Sequence, residues 1–226
     1  ASLAEARGGA FFIQGVEWFS ERGLEAVQEK LKRRAKHKEK APFYVLLDIE
    51  PHLHADIDGW LEKVLENKSV VDAMMGQTSV EIKEIWGLRE GITESIALTG
   101  PVKKFDVSVP VTSVIGFLEK AQGLAAKFQF WLYLFGHFGD GSPHLNLVKP
   151  PEMDAKDFEK QCKDFEVLLF QLILELGGAV SSEHGMGVLR KNWLSVSRTP
   201  REIELFRSIK KAFDPDGLLN PGKLIV

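Results

Sequence analysis

Several features are scarce or missing in this sequence of 226 residues. Its one cysteine, Cys162, excludes an internal disulfide and a cysteine-rich zinc site. No apolar run reaches about 18 residues, so no transmembrane helix is predicted. The formal net charge of −3 gives no general attraction for nucleic acid. The sequence contains neither a phosphate-binding loop nor a GxGxxG turn after a strand, and therefore shows no nucleotide-binding motif of its own.

The composition is that of an ordinary globular protein, because 44% of the residues are hydrophobic and 27% are charged. The apolar pattern switches repeatedly between helical and strand periods, which indicates a mixed fold. We predict an α+β fold with ferredoxin-like antiparallel sheet units, helices on one face and a helical insertion. The first 20 residues are interpreted as the remnant of a preceding connection.

The same patterns predict individual elements. Strands are predicted at 43–50, 70–75, 103–110, 128–135, 143–148 and 179–182. Helices are predicted at about 20–40, 56–66, 78–97, 111–127, 154–176 and 199–213. Two helix starts carry capping boxes, formed by Thr78 with Glu81 and by Thr199 with Glu202.

The segment Lys30–Lys40 holds seven Lys or Arg residues and one Glu. A nucleic-acid patch is one interpretation of this charge. The other is a solvated basic helix end, because cations are favourable near a helix C-terminus. No aromatic residue interleaves the charges, which weakens the nucleic-acid interpretation.

Two histidines, His137 and His144, flank the turn FGDGSP between two apolar strands. In a hairpin both rings would meet at its mouth, where neutral imidazoles are ligands for Zn²⁺ or a similar divalent ion. Structural histidines at a plain turn remain the alternative.

A second polar cluster, SSEHGMG, follows a predicted strand at Ser181–Gly187. Glu183 could supply a third, oxygen ligand, and three protein ligands leave an open position, as in catalytic zinc sites. His184 would then point elsewhere and could act as a base. A Glu-His pair at a helix start with no metal is an equal alternative.

Positive charge that could hold a carboxylate is present at Arg89 and Lys104. Arginine offers a planar two-pronged donor, and lysine a compact charge. Each of the two is also readily explained as a surface side chain.

Five segments occur here in an order that resembles the C-terminal half of flavin-linked 2-hydroxyacid dehydrogenases. They are IWGLREGITESI, PVKKFDVSVP, GHFGDGSPHLN, SSEHGMG and DPDGLLNPGKL. That family includes D-lactate dehydrogenases, D-2-hydroxyglutarate dehydrogenases and the glycolate oxidase flavin subunit. The resemblance covers nearly the whole chain and is best from Ile85 to Val226.

The resemblance implies that residues 1–226 form the substrate, metal and cap domain of an FAD-linked oxidase. The N-terminal domain that binds most of the FAD is absent and would be supplied in the same chain or in another. We therefore expect the isolated chain to be inactive and to retain no FAD.

The resemblance also implies site residues. Three match divalent-metal ligands, with Zn²⁺ the expected ion: His137, His144 and Glu183. His184 matches the base that takes the substrate hydroxyl proton. Four match positions that hold substrate carboxylate and hydroxyl groups: Arg89, Thr93, Lys104 and Asn146. Asn220 and Lys223 lie in the tail expected beside the flavin. One departure is Ser142, where the family usually has Asn in its Gly-Asp-Gly-Asn turn.

The function implied is oxidation of a small D-2-hydroxy acid to a 2-oxo acid by an FAD-dependent dehydrogenase. The alternatives are a catalytically silent binding or assembly domain with the same fold, and a metal-dependent hydrolase. The expected location is cytoplasmic, or mitochondrial in a eukaryote, with no nucleic-acid partner and with a homodimer left open. The sequence does not define the hydroxy acid, the metal or the electron acceptor.

Overall fold

The computed structural model describes residues 11–51, 56–66 and 68–223. Its strands are β1 (Phe11–Ser20), β2 (Phe43–Pro51), β3 (Val102–Asp106), β4 (Trp131–His137) and β5 (Ser142–Val148). Its longer helices are α1 (Glu21–Leu31), α2 (Ile57–Leu65), α3 (Ser79–Thr99), α4 (Val114–Lys127) and α5 (Ala155–Glu175). The C-terminal part adds α6 (Gly187–Arg190), α7 (Leu194–Ser197) and α8 (Pro200–Phe213). No helix in these ranges is long and apolar enough to cross a membrane.

The five strands form one antiparallel sheet in the order β2-β1-β4-β5-β3. The predicted α+β class with an antiparallel sheet is confirmed. The interpretation of the first 20 residues is wrong for Phe11–Ser20, because this segment pairs with both β2 and β4 inside the sheet. Residues 1–10 lie outside the described ranges.

Helices pack on both faces of the sheet, whereas one covered face was expected. Along β4, Leu134 contributes to a core with α4 and α5, while Tyr133 and Phe135 contribute to a second core with α1 and α3. Successive side chains of a strand point to opposite faces. The central strands are apolar on both faces, so each face needs its own helical cover.

The predicted helix starts are formed by the expected side chains. Thr78 and Glu81 make a reciprocal capping box at the start of α3, and Thr199 and Glu202 make another at the start of α8. At α5, the carboxylate of Asp154 accepts hydrogen bonds from two backbone N–H groups of the first turn. These side chains satisfy N–H groups that have no partner within the helix.

The basic segment after α1 is not helical, in contrast to the helix predicted to about residue 40. Lys32 adopts a left-handed conformation with φ of 56° and ends the helix. Beyond it, Lys36 pairs with Glu84, and Lys40 pairs with Glu21 and Glu25. These cations therefore hold the segment against α1 and α3.

Two predicted strands are absent from the described structure. In 70–75, Asp72 accepts hydrogen bonds from the backbone N–H groups of Lys38 and Glu39, and no sheet pairing forms. In 179–182, only Ala179 forms a β-bridge, to Ser108. The remainder of that segment bends, for a reason that lies in the candidate site.

Candidate functional site

The register of the sheet places most of the predicted site residues on one face, the face covered by α1 and α3. His144 of β5 lies opposite both Phe135 and Asp106, and Asn146 lies opposite Lys104. Directly opposed residues of an antiparallel pair share a face, as do residues two apart on one strand. The pairs Asp106–His144 and Lys104–Asn146 therefore lie next to each other on the same face of the sheet.

Three predicted metal ligands converge at the mouth of the β4–β5 hairpin. The rings of His137 and His144 are perpendicular, with centroids 5.3 Å apart. Nε2 of His137 lies 2.9 Å from Oε1 of Glu183. One ligand atom from each of the three residues falls within 4.8 Å of the others. Two strands and one bent loop thus bring together side chains up to 46 positions apart in the sequence.

The second nitrogen of His137 is held by a residue that the sequence analysis missed. Oε1 of Glu17, on the neighbouring strand β1, lies 2.5 Å from Nδ1 of His137. The other oxygen of Glu17 accepts hydrogen bonds from Nε and Nη2 of Arg89 at 2.9 and 2.8 Å. Both Glu17 and Arg89 are buried. The His137 ring is therefore fixed from behind by a buried ion pair.

His137 consequently lies between two carboxylates, those of Glu17 and Glu183. A neutral imidazole donates from only one nitrogen, so it cannot hydrogen-bond to both. Protonation of the ring or a cation beside Nε2 resolves the conflict. The N···O separation of 2.9 Å is a hydrogen-bond distance, and the two atoms need to separate by only about 0.5 Å to bind one ion tetrahedrally at about 2.0–2.2 Å. The residues present therefore fit a divalent cation.

A second buried carboxylate, Asp106, organises the loop that carries Glu183 and His184. Its Oδ2 accepts hydrogen bonds from the backbone N–H groups of Ser182, Glu183 and His184 at 3.3, 3.0 and 3.2 Å. Burial opposes its ionisation, but His144 and these N–H groups outweigh burial and hold the pKa of Asp106 well below its usual value. Three N–H groups that converge on one oxygen require a bend, which explains why 179–182 is not a strand.

Ser142, which stands where the family usually has Asn, contacts Ser182. Its hydroxyl oxygen lies 2.5 Å from that of Ser182, and its backbone N–H donates to Asp140. Ser142 is buried. The hydroxyl contact joins the hairpin turn to the loop of Glu183.

The four predicted substrate residues lie on or over this sheet face. Arg89 also places its guanidinium 4.6 Å from the ring centre of Phe135. Thr93 is exposed one helical turn after Arg89. Lys104 is exposed beside Asn146, which is buried. Nδ2 of Asn146 has no hydrogen-bond partner among the described residues. A buried amide donor without a partner is costly and is suited to a ligand oxygen.

Asn220 and Lys223 belong to a different surface, formed by α8 and the tail. They line a cavity of about 410 Å³ together with Phe206, Ile209, Lys210, Phe213, Asp214 and Leu219. Asp214 holds the tail by accepting hydrogen bonds from the N–H groups of Leu218 and Leu219. Asn220 itself has φ of 45°, a conformation in which asparagine is tolerated better than most residues.

Comparisons with known proteins show which family the chain resembles. The family model described as FAD linked oxidases, C-terminal domain, matches residues 2–224. The chain is 35% identical to D-2-hydroxyglutarate dehydrogenase of Stutzerimonas stutzeri over 217 residues. The aligned region covers 94% of this chain and 47% of that protein. It is 33% identical over 195 residues to the mitochondrial D-2-hydroxyglutarate dehydrogenase of Bos taurus, with 83% and 34% covered.

A solved structure supports the fold alone. The 4-ethylphenol oxidase of Gulosibacter chungangensis superposes with a TM-score of 0.59 at 12% identity, over 95% of this chain and 47% of that one. The chain thus spans less than half the length of the curated relatives described above. Since the family model covers nearly all of its residues, the chain belongs to the FAD linked oxidases, C-terminal domain family.

Proposed function

We propose that this chain is the substrate- and metal-binding half of an FAD-dependent dehydrogenase that oxidises a D-2-hydroxy acid to a 2-oxo acid. The observation that carries the proposal is the convergence of His137, His144 and Glu183 on a sheet face over which Arg89 of α3 lies. The names of the relatives favour D-2-hydroxyglutarate as the substrate.

The metal ligands in this proposal are His137, His144 and Glu183, with Zn²⁺ as the expected ion. A divalent ion there would lower the pKa of a hydroxyl group bound to it. The protein contributes by holding the ligands in place, because Glu17 fixes the ring of His137 before any ion arrives. Such outer contacts normally tune both affinity and orientation.

The substrate carboxylate and hydroxyl groups would be held by Arg89, Thr93, Lys104 and Asn146. Nη1 of Arg89 is the guanidinium nitrogen outside the pair with Glu17, and it can still donate to a carboxylate. Asn146 would donate its unpartnered Nδ2–H to a substrate oxygen. Lys104, exposed on the same sheet face, would add positive charge. Fixing the acid by several donors orients its C2 atom for reaction.

His184 would accept the proton of the substrate hydroxyl. A ring nitrogen of His184 lies within 4.8 Å of the carboxylate oxygens of both Glu183 and Asp106, so the base is next to the metal ligands. Its side chain is exposed, which leaves room for a substrate. FAD, when bound, would take the hydride from C2 of the hydroxy acid.

The FAD-binding half would come from another part of the same protein or from a partner chain. Asn220 and Lys223 would face it from the C-terminal tail. The location, cytoplasmic or mitochondrial in a eukaryote, stays a prediction, although the bovine relative is named as mitochondrial.

Binding of the hydroxy acid to the zinc-loaded chain tests the proposal directly. We expect D-2-hydroxyglutarate to shift the NMR signals of Asn146 and Lys104, and the L-enantiomer to bind at least tenfold more weakly. The test variant is Asn146→Ala, which should lose affinity for the D-acid. It should retain zinc, which shows that the site is otherwise intact. Equal binding of both enantiomers to the wild type and to this variant would refute the assignment.

A further inference from the structure

We propose that Asp106 is the positioning residue of the site. One oxygen of its carboxylate orients the metal ligand His144. The other oxygen shapes the loop that carries the ligand Glu183 and the base His184. This inference rests on the proposed function for the roles of His144, Glu183 and His184. It assigns a role to a residue that matches none of the expected ligands or substrate contacts.

The first observation concerns Oδ2 of Asp106. It accepts three consecutive backbone N–H groups, those of Ser182, Glu183 and His184. Successive N–H groups of an extended chain point in opposite directions, so their convergence defines the bend of this loop. Because side-chain directions follow from the backbone, the bend also determines where Glu183 and His184 point.

The second observation concerns Oδ1 of Asp106. This oxygen is buried and has no hydrogen bond among the described residues. The polar group that it faces is Nδ1 of His144, at 3.4 Å. A small rotation of the ring would close this contact into an N–H···O hydrogen bond, since buried carboxylate oxygens are normally satisfied. With its proton on Nδ1, His144 would present Nε2 to a cation.

The third observation is that hydrogen bonds to neighbouring segments hold the backbone at and near Asp106. It ends β3, in register with His144 of β5. Its backbone carbonyl accepts a hydrogen bond of 2.8 Å from Nη1 of Arg190. Two residues further on, Ser108 and Ala179 exchange backbone hydrogen bonds of 2.9 and 2.8 Å. The strand and the loop are therefore joined on both sides of the carboxylate.

Together these contacts make Asp106 the common support of three functional residues. Glu17 supports one metal ligand, His137, and pairs with Arg89, from the opposite side of the hairpin. Loss of the Asp106 carboxylate should therefore affect both ligand placement and the base, whereas loss of Glu17 should affect one ligand.

The first test titrates zinc alone into the chain and its variants. Asp106→Asn keeps the shape of the side chain but replaces one acceptor oxygen with an NH₂ donor, so zinc affinity should fall by about 10–100-fold. Asp214→Asn is the matched control, because Asp214 is also a buried carboxylate that collects backbone N–H bonds, but in the C-terminal tail. It should bind zinc as the wild type does. Equal affinity in Asp106→Asn and the wild type would overturn the proposal.

The second test needs no variant and no metal. In ¹⁵N NMR of the metal-free wild type, neutral His144 should carry its proton on Nδ1, a signature that a merely structural aspartate elsewhere would not produce. A proton on Nε2 would overturn the proposal. If the wild type binds no zinc, the proposed metal site fails, but this tautomer still decides the role of Asp106. Should Asp106→Asn fail to fold, the wild-type tautomer gives the answer.

Discussion

The sheet face of the candidate site and the C-terminal region from Pro200 to Lys223 hold their side chains in opposite ways. On the sheet face, charged Glu17, Arg89 and Asp106 are buried and make hydrogen bonds. In the C-terminal region, α8 has no buried residue, and Phe213 and Leu218 are 82% and 77% exposed. The sheet face buries three charged groups, whereas the C-terminal region buries only Asp214 among its described residues and exposes large apolar side chains.

Each arrangement departs from the usual distribution of residues, and each departure indicates a function. Buried charges are tolerated when they are paired, and here they orient candidate ligands. Large exposed apolar surfaces mark interaction sites. Under the proposed function, the FAD-binding half is the partner that covers the C-terminal region, while the sheet face meets the substrate.

The largest expected effects separate the base from the ligands. In the chain joined to an FAD-binding half, His184→Ala should retain zinc but lower turnover by roughly 100-fold or more, because a positioned general base is lost. His137→Ala should lose both zinc and turnover. Zinc content and turnover per folded molecule decide. Loss of zinc in His184→Ala would instead make this histidine a ligand.

The second effect tests whether the buried ion pair belongs to the site. Glu17→Gln should weaken zinc binding by about 10–100-fold, since the ring of His137 loses its charged support. It should also lower the free energy of unfolding by about 3 kcal/mol, because Arg89 stays buried without its partner. The control is Glu25→Gln, which removes a surface pair with Lys40. Similar zinc affinities in both variants would limit Glu17 to a structural role.

The third effect concerns the independence of the two regions. Truncation after Arg198 removes α8 and the tail, and we expect zinc affinity to change by less than about twofold, because α8 buries none of its residues. In the intact chain, amide hydrogen exchange should be faster in α8 than in β4 and β5. Exchange at equal rates would show that α8 is more tightly packed than its exposure indicates.

The smallest effect is expected at Cys162, in the core against the sheet. Burial raises the pKa of this thiol to about 11. Cys162 belongs to α5, and its side chain lies in the hydrophobic core between α4, α5 and the sheet. The reactive thiolate is therefore scarce at pH 8. A thiol reagent should label the native chain at a negligible rate and the urea-unfolded chain rapidly. Rapid labelling of the folded chain would reveal local opening of this core.

Much of the fold could be predicted because local patterns determine it. The capping boxes at Thr78 and Thr199 fix where α3 and α8 start, and they are visible in four consecutive letters. A strand was likewise predicted at 103–110, and the structure forms β3 there with Phe105 in the core. The segment 70–75 has residues suited to a strand, but no neighbouring strand in the described structure pairs with it. Pairing depends on the whole sheet, so a local pattern does not predict it.

The supports of the site were harder to predict for the same reason. Glu17 and His137 are 120 positions apart, and only the pairing of β1 with β4 joins them. A signal did exist, since Glu17 is a lone charge in the apolar run FFIQGVEWFS and Asp106 stands in the alternating run KKFDVSVP. A charge in a strand of a sheet covered on both faces must be paired or functional.

The most direct test of the account is the metal content of the purified chain after it is exposed to zinc and desalted. The wild type should retain one equivalent, held by His137, His144 and Glu183, and His144→Ala should retain almost none. His37→Ala is the matched control, because His37 contacts the ring of Tyr44 and does not belong to the ligand cluster, and it should retain the full equivalent. Equal zinc content in the wild type and His144→Ala would contradict the central claim.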